Sequence, residues 1–207
     1  MKLMIASDIH GSSACCKQLM QAFEREDPDR LLLLGDLLYH GPRNGLPDEY
    51  DPKQVFGMLN SIKNRILAVR GNCDTEIDQM VLEFPMMAEY CILYLDPSEA
   101  ERETGSKGRM IFATHGHHFN KDALPMLSPG DILLHGHTHL PAWEEVPLSN
   151  LGGKTVWYLN PGSVSFPKGG TPHGYMTLST LEESGTETKT VILWKDLSGN
   201  TYHELVL

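Results

Sequence analysis

Long apolar runs are missing from this chain of 207 residues: Leu3 to Ala6 is closed by Ser7 and Asp8 before it could serve as a signal sequence, and no later run reaches membrane-spanning length. A cytoplasmic protein is the expectation. Cysteine is sparse too. Cys15, Cys16, Cys73 and Cys91 form no CxxC pair and no disulfide-framework spacing, so they fit reduced thiols and give no sign of a structural zinc site. Basic residues are outnumbered, 17 Lys and Arg against 27 Asp and Glu, for a formal net charge of -10. That balance disfavours polymeric nucleic acid, whose non-specific binding rests on clustered cations, and leaves bound metals as a source of local positive charge. Linkers, repeats and low-complexity tracts are absent, so residues 1–207 read as one domain with a core of its own.

What is present is a βαβ rhythm. Lys2 to Ser7 reads as a strand, Ser13 to Glu26 as a helix with Cys15, Leu19 and Phe23 on one face, and Leu31 to Leu34 as the next strand. Ser12 or Ser13 can cap that helix and Asp27-Pro28 ends it. The rhythm repeats with a helix from Pro52 to Lys63 and a strand from Ile66 to Val69. A short helix near Thr75 to Leu82 follows. Strands are then expected at Tyr90 to Leu95, Arg109 to Thr114, Ile132 to His135, Thr155 to Leu159, Tyr175 to Ser179 and Thr190 to Trp194. Between two of them, the charged, glycine-containing stretch near 96–108 reads as a polar hairpin extension.

The chemistry is written at the strand ends. Leu3 to Ala6 delivers Asp8 and His10, Leu31 to Leu34 delivers Asp36, and Ile66 to Val69 delivers Asn72-Cys73-Asp74. Met110 to Ala113 delivers His115, and Ile132 to Leu134 delivers His137 and His139. Sites in open α/β sheets form outside the carboxyl ends of strands, so these residues can converge although they are far apart in sequence. Carboxylate, amide oxygen and imidazole together suit a borderline divalent metal, and a carboxylate such as Asp36 can bridge two ions. Any one of these residues alone is better read as a helix cap or a bonded core histidine. Neither reading explains imidazoles in two short clusters together with carboxylates at the ends of two strands.

The blocks Asp8-Ile9-His10, Gly35-Asp36, Gly71-Asn72-Cys73-Asp74, His115 and Gly136-His137-Thr138-His139 resemble the calcineurin-like metallophosphoesterases, in that family's order. Through Ser7 to Gly11, His40 to Asn44, Gly136 to Pro141 and Asn160 to Ser163 the chain is most similar to the compact bacterial YfcE-type phosphodiesterases. The resemblance implies a four-layer α/β/β/α sandwich with two divalent metals, manganese being expected. One metal would be held by Asp8, His10, Asp36 and His139, the other by Asp36, Asn72, His115 and His137. Such pairs lie roughly 3.5–4 Å apart and activate a bridging water for in-line attack on phosphorus. Asp36, Asn72, Cys73 and His115 become the candidate catalytic positions. Many relatives carry His where this chain and the YfcE-type branch carry Cys73, and a thiol donates hydrogen bonds more weakly to a leaving group.

His40 and Arg43, in the Gly-Pro turn after the Asp36 strand, are candidate substrate contacts. Lys168 reads as a solvated turn lysine, and Asp74 as a carboxylate that orients a neighbour. His117, His118 and His135 read as structural or supporting residues. The leading reading is hydrolysis of a small phosphodiester by a metal-bridging hydroxide; the alternatives are a phosphomonoesterase, a nuclease, or a non-catalytic assembly scaffold such as the retromer subunit this fold also resembles. A nuclease would need a basic groove, and a scaffold would be expected to have lost ligands. A homo-oligomer is compatible with the exposed loop aromatics.

Overall fold

The computed structural model describes residues 1–97, 102, 103, 105, 107–149, 152–183 and 187–207. Two sheets are stacked face to face. The first contains β1 (Lys2–Ala6), β2 (Arg30–Leu33), β3 (Ile66–Ala68), β9 (Gly174–Glu183), β10 (Glu187–Asp196) and β11 (Thr201–Val206), in the order β11-β10-β9-β1-β2-β3. The second contains β4 (Tyr90–Leu95), β5 (Arg109–Thr114), β6 (Ile132–Leu134), β7 (Pro141–Pro147) and β8 (Thr155–Pro161), in the order β4-β5-β6-β8-β7. The helices are α1 (Ser13–Glu26), α2 (Pro52–Ser61) and α3 (Glu76–Val81).

Strand alternation builds the layers. Along β1, Met4 and Ala6 pack with Cys15, Leu19 and Phe23 of α1 and with Val55 and Leu59 of α2. Leu3 and Ile5 point the other way and meet Ile111, Ala113, Ile132, Leu134 and Leu159 of the second sheet. β1, β2 and β3 run parallel, with Leu3 opposite Arg30 and Leu31 opposite Ile66, as two right-fed βαβ units require. The outer face of the second sheet has a thin cover. There Phe119, Leu124 and Leu127 pack on Phe112, Leu133 and Tyr158.

Local signals explain the helix limits. The Ser12 side chain accepts from the Cys15 backbone N–H, and Asp27 ends α1 in a left-handed conformation at φ 40°. Asp51 caps α2, which stops at Ser61; the expected last residues instead form a 3-10 turn at Lys63–Arg65. Strands β7 and β11 were not expected. Both are sheet edges, and β7 carries Glu144-Glu145 between prolines, so neither shows the apolar alternation of a half-buried strand. Much of the expected extension near 96–108 lies outside the described residues.

The end of α1 is tied to the first sheet by a carboxylate. Glu26 accepts from Lys195 Nζ at 2.8 Å, Lys2 Nζ at 3.0 Å and Tyr175 Oη at 2.8 Å. Burial works against its charge, but Lys195, Lys2 and Tyr175 outweigh burial and bring the carboxyl down to about 2. A lowered folded pKa gives stability that is present above the ordinary glutamate value and lost as pH falls toward 2. Urea midpoints measured from pH 5 to pH 2.5 should therefore fall less in Glu26→Gln than in the unaltered protein; parallel curves would show that the cluster contributes nothing.

Candidate metal centre

The loops leaving β1 and β2 are joined edge to edge: the backbone N–H groups of Asp8, His10 and Gly11 donate to Gly35 O, Asp36 O and Leu37 O at 3.1, 2.9 and 2.9 Å. Asp8, His10, Asp36, His137 and His139 all have left-handed backbone, with φ of 60°, 50°, 55°, 67° and 62°. That conformation costs an L-residue about 1–2 kcal/mol, so its concentration in one place marks a constrained site. Space is as tight as the backbone. A Cβ on Gly71 would lie 2.1 Å from Asp36 Oδ1, and one on Gly136 would lie 1.9 Å from Ser7 Oγ.

All seven expected ligands come together. His139 Nε2 lies 3.2 Å from Asp8 Oδ1 and 3.3 Å from His10 Nε2, which is 3.7 Å from Asp36 Oδ2. On the other side, His115 Nε2 lies 3.4 Å from Asp36 Oδ2, 3.0 Å from Asn72 Oδ1 and 3.2 Å from His137 Nδ1. Asp36 stands between the two groups. Asp8-His10-His139 and Asp8-Asp36-His115 each bring donor atoms close enough to share one ion.

Three of the imidazoles are oriented from behind. His10, His115 and His139 each direct Nδ1 at a backbone carbonyl, Tyr39 O at 2.8 Å, Leu34 O at 2.7 Å and Phe166 O at 2.8 Å, which leaves Nε2 facing inward. Asp8 Oδ1 is buried without a hydrogen-bond partner, as an oxygen reserved for a cation would be. Burial alone would raise Asp8, yet contacts with His10 and His139 hold it well below the carboxylate range. Burial likewise opposes charge on His115, but Asp36 and Asp8 prevail and lift it to about 9. Two buried carboxylates therefore call for positive charge, and this donor set fits borderline divalent ions.

A calcineurin-like phosphoesterase superfamily domain model matches residues 1–183. The chain belongs to that superfamily. It is 43% identical over 175 residues to phosphodiesterase YfcE of Escherichia coli K12, covering 84% of this chain and 85% of that protein. A solved structure of YfcE, described as a phosphoesterase from E. coli, superposes with a TM-score of 0.81 at 38% identity, over 99% of this chain and 98% of that one. A novel archaeal phosphodiesterase, at 20% identity and a TM-score of 0.51 over the full length of both chains, shares the fold. The metallophosphoesterase fold expected from the motifs is the fold observed, a mixed α/β structure of two sheets and few helices, and this fold implies divalent metal ions.

Above the ligands opens a cleft of about 320 Å³, lined by His10, Asp36, Asn72, Cys73, His137 and His139 and walled by Gly41 to Asn44 and Lys168. Arg43 faces it as expected. His40 does not line it; its ring packs against Tyr39 and Tyr50, at 4.7 and 5.3 Å between centroids. Lys168, read as a solvated turn residue, does line it. Cys73 is buried beside Asp36, and burial followed by the Asp36 charge pushes its thiol far up, so it stays protonated. Its sulfur accepts from Asn72 Nδ2 at 3.2 Å, which turns Asn72 Oδ1 toward His115.

Behind the ligands lies a supporting layer. Asp74 accepts backbone N–H bonds from Asp36, Leu37 and Gly71 at 2.8, 2.9 and 2.7 Å, and burial raises it to about 6 in spite of them. Asn160 Nδ2 donates to Gly136 O at 2.8 Å and Thr138 Oγ1 at 3.0 Å, holding the turn that carries His137 and His139. Ser163 and Ser165 hydroxyls both donate to Asp8 O, at 3.0 and 2.9 Å. The Asn160-Pro161-Gly162-Ser163 motif thus earned its place in the resemblance by propping ligands, a role that periodicity does not reveal. His135, just after β6, is buried against Tyr158, and the tilted rings of His117 and His118 lie 4.0 Å apart, His117 near His115 and His137.

Proposed function

We propose that the chain is a two-metal phosphodiesterase acting on a small phosphodiester, with manganese as its metal, and that residues 1–207 form one catalytic domain. The convergence of six donor residues about Asp36, three of them imidazoles fixed through Nδ1, supports this reading above all. When bound, two divalent ions supply an activated water and offset negative charge on the phosphoryl oxygens. Asp8, His10, Asp36 and His139 would hold one, and Asp36, Asn72, His115 and His137 the other.

The protein's own groups set the geometry. Asp36 joins the two halves, while its Oδ1 is held by the Cys73 backbone N–H at 2.8 Å. Cys73 fixes the Asn72 amide with its oxygen turned inward. Arg43 presents a planar guanidinium to an anionic group of the substrate at the cleft wall. A cleft of about 320 Å³ fits a small ester.

The test is reconstitution of metal-free protein with manganese and comparison of an activated aryl diester with its monoester. Hydrolysis favouring the diester, with Asn72→Ala and His115→Ala lower by about 100-fold, is expected. Equal activity in the variants would sink the mechanism, and absence of both bound metal and hydrolysis would favour an assembly scaffold. Because the Cys73 thiol is a weak donor, Cys73→His should raise turnover of diesters with poor leaving groups. An unchanged or lower rate at intact metal content would assign Cys73 to holding Asn72 instead.

A further inference from the structure

We infer that the cleft takes a phosphodiester bearing a second, terminal phosphate, held between Arg43 and Lys168. This rests on the diesterase reading and names its substrate class. Apart from the expected metal-ligand set, the only charged side chains lining the cleft among the described residues are these two cations, in a chain whose formal net charge is -10. Five other cations are held in ion pairs: Lys2 and Lys195 with Glu26, Lys63 with Glu83, Arg65 with Asp27, Lys121 with Glu144. Among the described residues, no side-chain partner holds Arg43 or Lys168.

Both are presented by built turns rather than loose loops. The Lys168 backbone N–H donates to the carbonyl of His139 at 3.0 Å, and the Lys168 carbonyl accepts from Thr171 N at 3.1 Å and Thr171 Oγ1 at 2.7 Å. The turn carrying Arg43 is closed by Asn44 Nδ2 donating to His40 O at 2.8 Å, and a Cβ on Gly41 would lie 3.3 Å from Cys73 Sγ. One turn therefore hangs from a ligand of the first metal group, and the other abuts the residue beside Asn72 in the second.

Charge decides what such a cleft prefers. Asp8 and Asp36 bring two negative charges, a pair of divalent ions would bring four positive ones, and a simple diester carries one negative charge. The centre alone already matches a diester and its nucleophile. Arg43 and Lys168 add two more positive charges, which a monoanionic ester leaves unanswered. A terminal phosphate answers them: its several oxygens suit a planar fork and a point ammonium together.

The experiment uses manganese-loaded protein and calorimetry with thymidine 3′,5′-bisphosphate against thymidine 5′-monophosphate. The bisphosphate is expected to bind about tenfold more tightly. That preference should fall below about threefold in Arg43→Gln/Lys168→Gln with manganese content intact. Equal affinities in the unaltered protein, or a preference that survives in the double variant, would overturn the inference. Hydrolysis of the 5′-p-nitrophenyl esters of both nucleotides separates the two readings. Turnover of both at equal kcat/KM refutes the second phosphate and leaves the diesterase intact; turnover of neither refutes the diesterase, while calorimetry still decides whether the anion pair exists.

Discussion

Asp36→Asn is expected to lower kcat/KM by about three orders of magnitude and to leave fewer than two manganese ions per chain. Asp36 lies against both groups of donors: Oδ2 is 3.7 Å from His10 Nε2 and 3.4 Å from His115 Nε2. The amide would keep the volume and can keep the hydrogen bond from the Cys73 backbone through its oxygen. It removes the charge, and a neutral amide does not bridge two cations as a carboxylate does. A variant that binds two ions by atomic absorption and retains a tenth of the activity would show that bridging is not the source of the rate.

A second large effect is expected for Asp74→Ala, this time on stability. Its carboxylate receives three backbone N–H groups that are buried with it, from Asp36, Leu37 and Gly71. Truncation leaves these donors unsatisfied, at about 1–3 kcal/mol each and not additively, so a total near 3–5 kcal/mol is reasonable. For a chain of this length that lowers Tm by about 10 °C. Asp74→Asn should fall between, because its amide oxygen still accepts while its NH2 opposes one donor. A melting temperature unchanged in the alanine variant would mean that the loop finds other acceptors.

The convergence of these residues was legible because strand ends and chemistry coincide: Asp8, Asp36, Asn72, His115 and His137 each follow an apolar run closely, and the parallel strands carry those ends to one side. The helix faces were legible through Cys15, Leu19 and Phe23. Edge strands were not. Glu144 and Glu145 in β7 and the mostly exposed pattern of β11 carry no burial signal, since only half of an edge strand's surroundings are protein. The left-handed backbone at five ligands was equally hidden, because Asp and His do not advertise φ as glycine does. Lys168 is exposed, as its turn composition implies, and the hydrogen bond from its backbone N–H to His139 O is what sets that turn beside the cleft.

The superfamily match stops at residue 183, yet β10 and β11 lie beyond it. From β10, the fully buried Trp194 donates its indole N–H to Asn160 O at 2.8 Å, and Asn160 in turn holds the His137–His139 turn. Trimming where the superfamily match ends would therefore spare every donor atom and still loosen the imidazoles, while exposing β9 as a new sheet edge open to pairing between molecules. The superfamily match and the folding unit have different boundaries here, and any shortened or fused version of this chain has to respect the second.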